Sequence, residues 1–224
     1  MKLAHLDYSF MIPFDENRVS TLVIENIKAY RDFLTDFLLC ISGESDKWVL
    51  SDNNQVIPWK KKVIFFSDLL TVDINQKPIL TALQHELAEK ICNEEILLAQ
   101  INQLLQQLYA AIDADMPAEL IYDAYVTPDI LAKIGNFHFE TIGNDLLENL
   151  LTQISIIRDL LQPKLIIINN LSTYTTKVER KQFLKTIILE DIPLLCIESK
   201  NFDYDLIESE LENVYTIDED ICFI

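Results

Sequence analysis

The sequence predicts an α/β protein with a mostly parallel sheet and a long inserted α-helical leg. Two short apolar runs, Lys-Val-Ile-Phe-Phe-Ser-Asp at 62–68 and Lys-Leu-Ile-Ile-Ile-Asn-Asn at 164–170, are typical of buried strands of one parallel sheet. The roughly 95 residues between them are rich in helical periodicity and nearly free of glycine. Strands that end in Asp or Asn are typical of nucleotide-triphosphate folds, yet no phosphate loop accompanies them. The expected head is therefore a degenerate phosphate-loop-ATPase-like domain.

The head is expected to be discontinuous in sequence. An early strand at 21–24 and a helix at 27–40 precede the first long apolar run. The predicted strands that complete the sheet are 47–50, 60–66, 164–169, 193–197 and 214–217. Strands that alternate with helices favour a layered α/β architecture. The predicted domains are a head, residues 1–76 and 164–224, whose two segments meet in space, and a leg, residues 77–163.

The leg is expected to be an up-and-back helical arm. Apolar residues recur every three or four positions over 78–112, which predicts one long amphipathic helix with Pro78 in its first turn. Residues 113–125 are expected to form a turn or a short, irregular helix, and 127–135 a short helix. A second long helix is predicted over 142–161, packed antiparallel against the first.

The charge of the chain is strongly acidic but unevenly distributed. The formal net charge is −18. Residues 78–163 hold thirteen acidic and three basic residues, and residues 190–224 hold eleven and one. Residues 164–189 reverse this balance, with five basic residues and one acidic residue. A uniformly acidic surface would repel nucleic acid, whereas concentrated basic charge leaves DNA binding possible.

The candidate phosphate-binding cations form two groups. Three consecutive lysines precede a strand, and three more recur at i, i+4 and i+8 on a predicted helix with an arginine beside them. Leu184 and Ile188 fall in the same arc of that helix, so both a solvent-facing helix and a phosphate-binding face stay open. The predicted DNA-binding residues are Lys60, Lys61, Lys62, Lys177, Arg180, Lys181 and Lys185.

An acidic bend follows the first leg helix. Hard divalent cations such as Ca²⁺ take six to eight oxygen ligands, often from a flexible segment. The bend lacks the glycine and the terminal glutamate of an EF-hand, so a solvated acidic turn and a metal site both remain open. The predicted metal ligands are Asp113, Asp115, Glu119 and Asp123.

Enzymatic chemistry has little support in the sequence. A phosphate loop needs glycines before a Lys-Ser/Thr pair, and the chain has three glycines, none in that setting. The His85-Glu-Leu-Ala-Glu89 run carries Glu89 where a zinc-binding helix would place its second histidine. A nucleophile elbow is also missing from the sequence. We expect no catalytic residues.

The compartment is expected to be the cytoplasm. The four cysteines are widely spaced without a CxxC pair, which is typical of reduced thiols. His5 and Asp7 interrupt any apolar signal-peptide region, and no stretch approaches the roughly 18 apolar residues of a membrane span. We therefore expect no membrane partner.

The order of several segments resembles one known family. These are residues 63–75 leading into the long helix, 164–170, 175–179 and 215–220. In that order they resemble the accessory ring protein of type II-A CRISPR adaptation, the Csn-two family. The resemblance spans nearly the whole chain and implies a degenerate ATPase-like head, a helical leg and a homotetrameric ring. It also implies that calcium stabilises the ring, and that the ring binds the ends of linear double-stranded DNA during spacer acquisition without known enzymatic activity.

The expected function is a sequence-independent grip on the DNA backbone. The predicted partners are double-stranded DNA, other copies of the chain, the CRISPR integrase complex and the effector nuclease, and the predicted cofactor is Ca²⁺. Two alternatives stay open. The strand pattern also suits a degenerate nucleotide-binding ATPase-like enzyme, and the long helices also suit a purely structural oligomeric scaffold.

Overall fold

The computed structural model describes residues 1–15, 17–140 and 145–224. It divides into two units, Met1–Val72 with Ile142–Ile224, and Asp73–Thr141. The strands are β1 (Lys2–His5), β2 (Met11–Pro13), β3 (Val19–Ile24), β4 (Trp48–Asp52), β5 (Gln55–Ile57), β6 (Val63–Phe66), β7 (Leu165–Asn169), β8 (Leu194–Ser199) and β9 (Glu212–Ile217). The helices are α1 (Ile27–Ser42), α2 (Lys77–Asn93), α3 (Glu95–Ala114), α4 (Pro128–Ile134), α5 (Leu146–Leu161) and α6 (Lys177–Leu189).

A five-stranded parallel sheet forms the centre of the first unit. Its strand order is β6-β7-β8-β3-β9. Strand β6 lies before the inserted residues and β7 after them, and the two pair directly, with Val63 opposite Leu165. This pairing confirms that the two predicted head segments meet in space. The predicted fold class, α/β with a mostly parallel sheet and inserted helices, is confirmed.

A second sheet of four antiparallel strands accompanies the parallel one, in the order β2-β1-β4-β5. Of these four strands only β4 was predicted from the sequence, as residues 47–50. Strands β2 and β5 have three residues each and β1 has four, too few for a clear alternation. Asn53 and Asn54 adopt positive φ angles of 49° and 62°, which close the β4–β5 hairpin with a twist that suits adjacent strands.

Both faces of the parallel sheet are covered, one by helix α1 with the antiparallel sheet and the other by helix α6. Helix α1 and the antiparallel sheet share a buried cluster with Leu22, Ile167 and Ile197 of the parallel strands. Successive strand residues point to opposite faces, so the buried side chains of Ile166 and Ile168 face the other way. Helix α6 covers that second face. Both faces are therefore buried, as the continuous apolar strand runs predict.

Helix α5 belongs to the first unit, which corrects the predicted boundary at residue 163. The helix contacts α6 and the 3₁₀ turn that follows β6, and Leu150, Ile154 and Ile157 are buried. From the sequence, this apolar stripe was predicted to belong to the leg. The spacing of its apolar residues is the same whether they pack in the leg or against α6. The predicted start of the helix at residue 142 lies outside the described residues.

The second unit contains two successive helices where one was predicted. The backbone of Glu94 has φ −91° and ψ 53°, outside helical values, so α2 ends before it and α3 begins after it. This break falls where the apolar repeat misses a turn. Among the described residues, no helix is long and apolar enough to cross a membrane.

Two asparagines hold irregular segments of the second unit in place. The Asn102 side chain accepts the Val126 N–H at 2.7 Å and donates to the Val126 carbonyl at 3.3 Å. Asn75 makes the same pair of bonds with Phe139, at 2.8 and 3.0 Å. Each amide thereby satisfies backbone groups that have no strand or helix partner.

Candidate nucleic-acid interface

Three lysines line the exposed side of α6. A capping box between Thr176 and Glu179 sets the helix start, so that Lys177 is its first residue. Lys177 and Lys185 are exposed, and in the described part of the chain neither lies within ion-pair distance of a carboxylate. Lys181 is partly buried, and its Nζ lies 2.9 Å from Oε2 of Glu208. The α6 lysines, Lys177, Lys181 and Lys185, therefore form one basic row with a carboxylate against its middle member.

A second basic group lies at the amino edge of the parallel sheet. Lys60 and Lys61 are exposed, and Lys62 is partly buried just before β6. The carbonyl of Lys62 accepts the N–H of Lys164 at 2.7 Å, which places the start of β7 beside it. Lys164 is exposed and was not predicted as a site residue. Lys164 precedes β7 just as Lys62 precedes β6. That shared position in the sequence could have identified Lys164 as a candidate.

The two basic groups begin at opposite edges of the sheet. Lys62 precedes β6, at the amino ends of the strands, whereas α6 follows the carboxyl end of β7 and runs back toward the start of β8. Lys177, the first residue of α6, therefore lies at the carboxyl edge of the parallel sheet. Within one chain, Lys62 and Lys177 thus lie at opposite edges of the parallel sheet.

Arg180 is a correction to the predicted DNA-binding set, because its side chain is completely buried. Its Nε and Nη2 donate to the two carboxylate oxygens of Glu212 at 3.1 and 2.7 Å, and Nη1 donates to Glu198 at 2.9 Å. The guanidinium also lies 5.4 Å from the ring centre of Phe202. No donor of this guanidinium faces the solvent, so Arg180 stabilises the fold and does not contact phosphate.

The two carboxylates have further donors. Ser172 donates to Glu198 through its N–H at 3.1 Å and its hydroxyl at 2.6 Å, and Thr21 donates to Glu212 at 2.7 Å. Burial raises the pKa of Glu198 despite the nearby Arg180. Burial alone would lower the pKa of Arg180, but hydrogen bonds and charge from Glu212, with the charge of Glu198, raise it. The guanidinium is therefore charged, and one cation faces two acidic groups.

The burial of Arg180 had a sequence signal. Phe183, Leu184 and Ile187 are all buried, and they follow Arg180 at the three-, four- and seven-residue spacings of one helix face. The α6 lysines lie on the adjacent face of the helix, and their spacing led to the prediction that Arg180 is exposed with them. Which carboxylates would meet the arginine was not readable, since Glu198 and Glu212 lie 18 and 32 residues away.

The predicted metal ligands do not converge within the chain. Asp115, Glu119 and Asp123 are exposed, and Asp113 accepts the N–H of Leu120 at 2.8 Å, which closes the bend. Among the described residues, no group of three or more His, Cys, Asp or Glu side chains could hold a metal ion. Within the described part of one chain, the predicted ligands therefore do not form a calcium site.

The connection after β3 shows how the fold differs from a phosphate-binding one. Only Glu25 and Asn26 separate β3 from α1, and neither is glycine. Asn26 accepts the Ala29 N–H at 3.0 Å and donates to the Glu219 carbonyl at 2.8 Å. The helix start is thus capped by the chain itself, beside an acidic residue, and this turn has no backbone N–H cradle for a triphosphate.

The polar residues at the ends of β6 and β7 are engaged in local hydrogen bonds. Asp68 caps the 3₁₀ turn that follows β6 by accepting the Leu70 N–H at 2.9 Å. Asn169 accepts from the Tyr30 hydroxyl at 2.6 Å and donates to the Ser67 carbonyl at 3.2 Å. The Asn169 amide thereby joins the end of β7 to the residue that follows β6.

The fold and the site define an α/β protein that has a parallel sheet and a basic helix but no phosphate loop after its β3 strand. The chain belongs to the family of the CRISPR-associated protein (Cas_Csn2), whose model matches residues 41–221. The predicted family resemblance is therefore confirmed. A comparison with curated protein sequences finds no match.

Two solved structures are similar to the chain at low sequence identity, and the first of them has the same fold. The crystal structure of Stu0660 of Streptococcus thermophilus is similar with a TM-score of 0.59 and 14% identity, over 97% of this chain and 75% of that chain. A nucleotide-free ATP-binding cassette from an ABC transporter has a TM-score of 0.48 and 12% identity, over 95% of this chain and 82% of that chain.

Proposed function

We propose that the chain binds linear double-stranded DNA without sequence preference and assists CRISPR spacer acquisition as a calcium-stabilised homotetrameric ring. The protein acts without catalysis in this proposal, in the cytoplasm, and passes DNA to the CRISPR integrase complex alongside the effector nuclease. Membership of a CRISPR-associated family supports the biological setting. The DNA-binding role rests on the charges described next.

The observation that carries the proposal is the exposure of Lys177 and Lys185 on a chain of net charge −18. In the described structure these two ammonium groups have no carboxylate within ion-pair distance. Lysine contacts phosphate as a point charge, which fixes position on the duplex without reading bases. Because subunits of a ring repeat each lysine around a channel, local basic charge can hold DNA while the exterior stays acidic.

The assembly part of the proposal rests on α3. This helix has one buried residue, Asn102, while its apolar residues Leu97, Leu104 and Leu108 are 55%, 64% and 53% exposed. With Ile101 they follow the alternating four- and three-residue spacing of a coiled-coil seam. No charged residue lies between Glu95 and Asp113. A second copy of this acidic chain could approach here with little repulsion, so we assign this face to contact between subunits.

Replacing Leu104 with glutamate tests that assignment. The exposed side chain contributes little to folding of one chain, so we expect an unchanged unfolding curve and a smaller assembly by light scattering, since a charge at a buried seam costs a few kcal/mol. Leu70→Glu is the matched control, because Leu70 is 70% exposed in the other unit. An L104E protein with the wild-type mass would contradict the use of this face.

Calcium enters the proposal only through assembly. The described residues of one chain offer no converging set of ligands, so in this proposal the carboxylates of Asp113, Asp115, Glu119 and Asp123 are joined by groups from another subunit. The proposal therefore predicts that a chelator changes the mass of the oligomer.

A gel-shift comparison of linear and closed circular duplexes, with calcium or with a chelator, tests the whole proposal. We expect binding to linear DNA that falls steeply with salt, weaker binding to circles, and loss of both the ring mass and DNA binding in chelator. Equal affinity for linear fragments and nicked circles of matched length would contradict a closed ring that DNA enters by its ends. Stable assembly with no DNA affinity in calcium would instead identify a structural scaffold.

A further inference from the structure

Glu208 lies against Lys181, the middle member of the α6 lysines. Its carboxylate lies 2.9 Å from the Lys181 ammonium, and its side chain is 15% exposed. The hydrogen bond from Lys181 lowers the pKa of Glu208, and the charges of Lys181, Lys177 and Lys185 act in the same direction. All three lysines of the row therefore act on this one carboxylate.

The backbone around Glu208 is held by the buried ion cluster. Its carbonyl accepts the N–H groups of Leu211 and Glu212 at 2.7 and 2.9 Å, and its own N–H points to the Glu212 carboxylate at 3.4 Å. Glu212 is in turn bound by Arg180 of α6. The position of Glu208 relative to the helix is thus built into the fold.

We propose that Glu208 is an intramolecular competitor of phosphate at the α6 lysines, and that it limits the affinity of the protein for DNA. A carboxylate oxygen 2.9 Å from an ammonium group makes the contact that a phosphate oxygen would make. While Glu208 holds Lys181, phosphate has two free lysines in the row and one nearby negative charge to overcome. This inference deepens the proposed function and rests on it.

The isosteric substitution Glu208→Gln tests the proposal with a linear blunt-ended duplex. It removes the charge and keeps the shape and the backbone contacts. We expect E208Q to bind roughly five- to tenfold more tightly than wild type near 0.1 M salt, with a salt slope steeper by about 0.9 because Lys181 becomes free for phosphate. Glu210→Gln is the matched control. Glu210 is exposed and, in the described structure, makes no ion pair, so E210Q should stay within about twofold of wild type.

Two readouts separate this proposal from the proposed function. If wild type binds DNA with steep salt dependence but E208Q gains no more than E210Q, the role of Glu208 is overturned and the DNA-binding proposal stands. Inorganic tripolyphosphate, titrated against both variants and followed by lysine NMR, measures the competition without DNA. If neither variant binds DNA but E208Q binds tripolyphosphate more tightly than wild type, the competition between Glu208 and phosphate is supported and the DNA-binding function is overturned. If wild type does not bind DNA and E208Q also binds tripolyphosphate no more tightly than wild type, the Glu208 proposal is overturned.

Discussion

Replacing Arg180 with alanine is expected to lower the free energy of unfolding by about 3–5 kcal/mol, measured by urea denaturation. The substitution leaves the carboxylates of Glu198 and Glu212 buried with no cation between them. Breaking a buried ion pair on one side costs this much because the remaining charges have lost both water and their partner. The network joins α6 to β3, β8 and β9, so we expect the loss to affect the parallel sheet as a whole.

Lys185→Ala on the same helix is the control for Arg180→Ala. Lys185 is exposed, so its replacement should leave the unfolding curve unchanged. An R180A protein as stable as K185A would show that the buried cluster is not needed for the fold, and would reopen a surface role for Arg180.

Glu198→Gln gives a second measurement on the same cluster. Glutamine can still accept from Arg180, and it removes the excess negative charge. The folded-state pKa of Glu198 lies above its ordinary value, so the folded protein binds this proton more tightly than the unfolded chain does. The free energy of unfolding of wild type therefore falls as pH rises from the ordinary pKa through the folded pKa. We expect E198Q to match or exceed wild-type stability at pH 7, and wild type to gain on it as pH falls toward 4.5. A large loss in E198Q at pH 7 would contradict this.

The double charge reversal Lys177→Glu/Lys185→Glu is expected to weaken binding to linear DNA by about a hundredfold near 0.1 M salt and to reduce the salt slope by about two. Each lost phosphate contact removes close to one released counterion, and each introduced glutamate adds repulsion. Both positions are exposed, so folding should be unaffected. Gel shifts over a salt series measure both quantities.

The control for this reversal is Lys28→Glu/Lys133→Glu. Both lysines are exposed, on α1 and α4, and the pair changes the net charge of the chain by the same amount. A general effect of acidity would weaken both double variants equally. Equal affinities of the two variants would therefore contradict the assignment of DNA binding to α6.

Together these variants separate two roles that look alike in the sequence. Arg180 and Lys181 are adjacent basic residues of one helix. The arginine is buried between two carboxylates, and the lysine is held at the surface by Glu208. The first should change stability, whereas release of the second by E208Q should change DNA affinity.

Local sequence patterns determined much of the fold. The apolar runs at 62–68 and 164–170 identified two neighbouring strands although the second unit separates them, because continuous burial leaves a continuous apolar run. The same patterns located α1 and α4 closely. The order of segments was enough to indicate the family, and the composition was enough to show that basic charge is concentrated in 164–189.

Tertiary structure decided which charges can meet a ligand and which helices pack together. Periodicity reports the face on which a residue lies, but it carries no information on the segment that packs there. Only the fold brings Glu198 and Glu212 to Arg180, or Glu208 to Lys181, across 18, 32 and 27 residues. For the same reason the stripe on α5 was assigned to the wrong unit. Burial and ion pairing depend on these long-range contacts, so seven predicted cations became a surface set of six and a buried arginine.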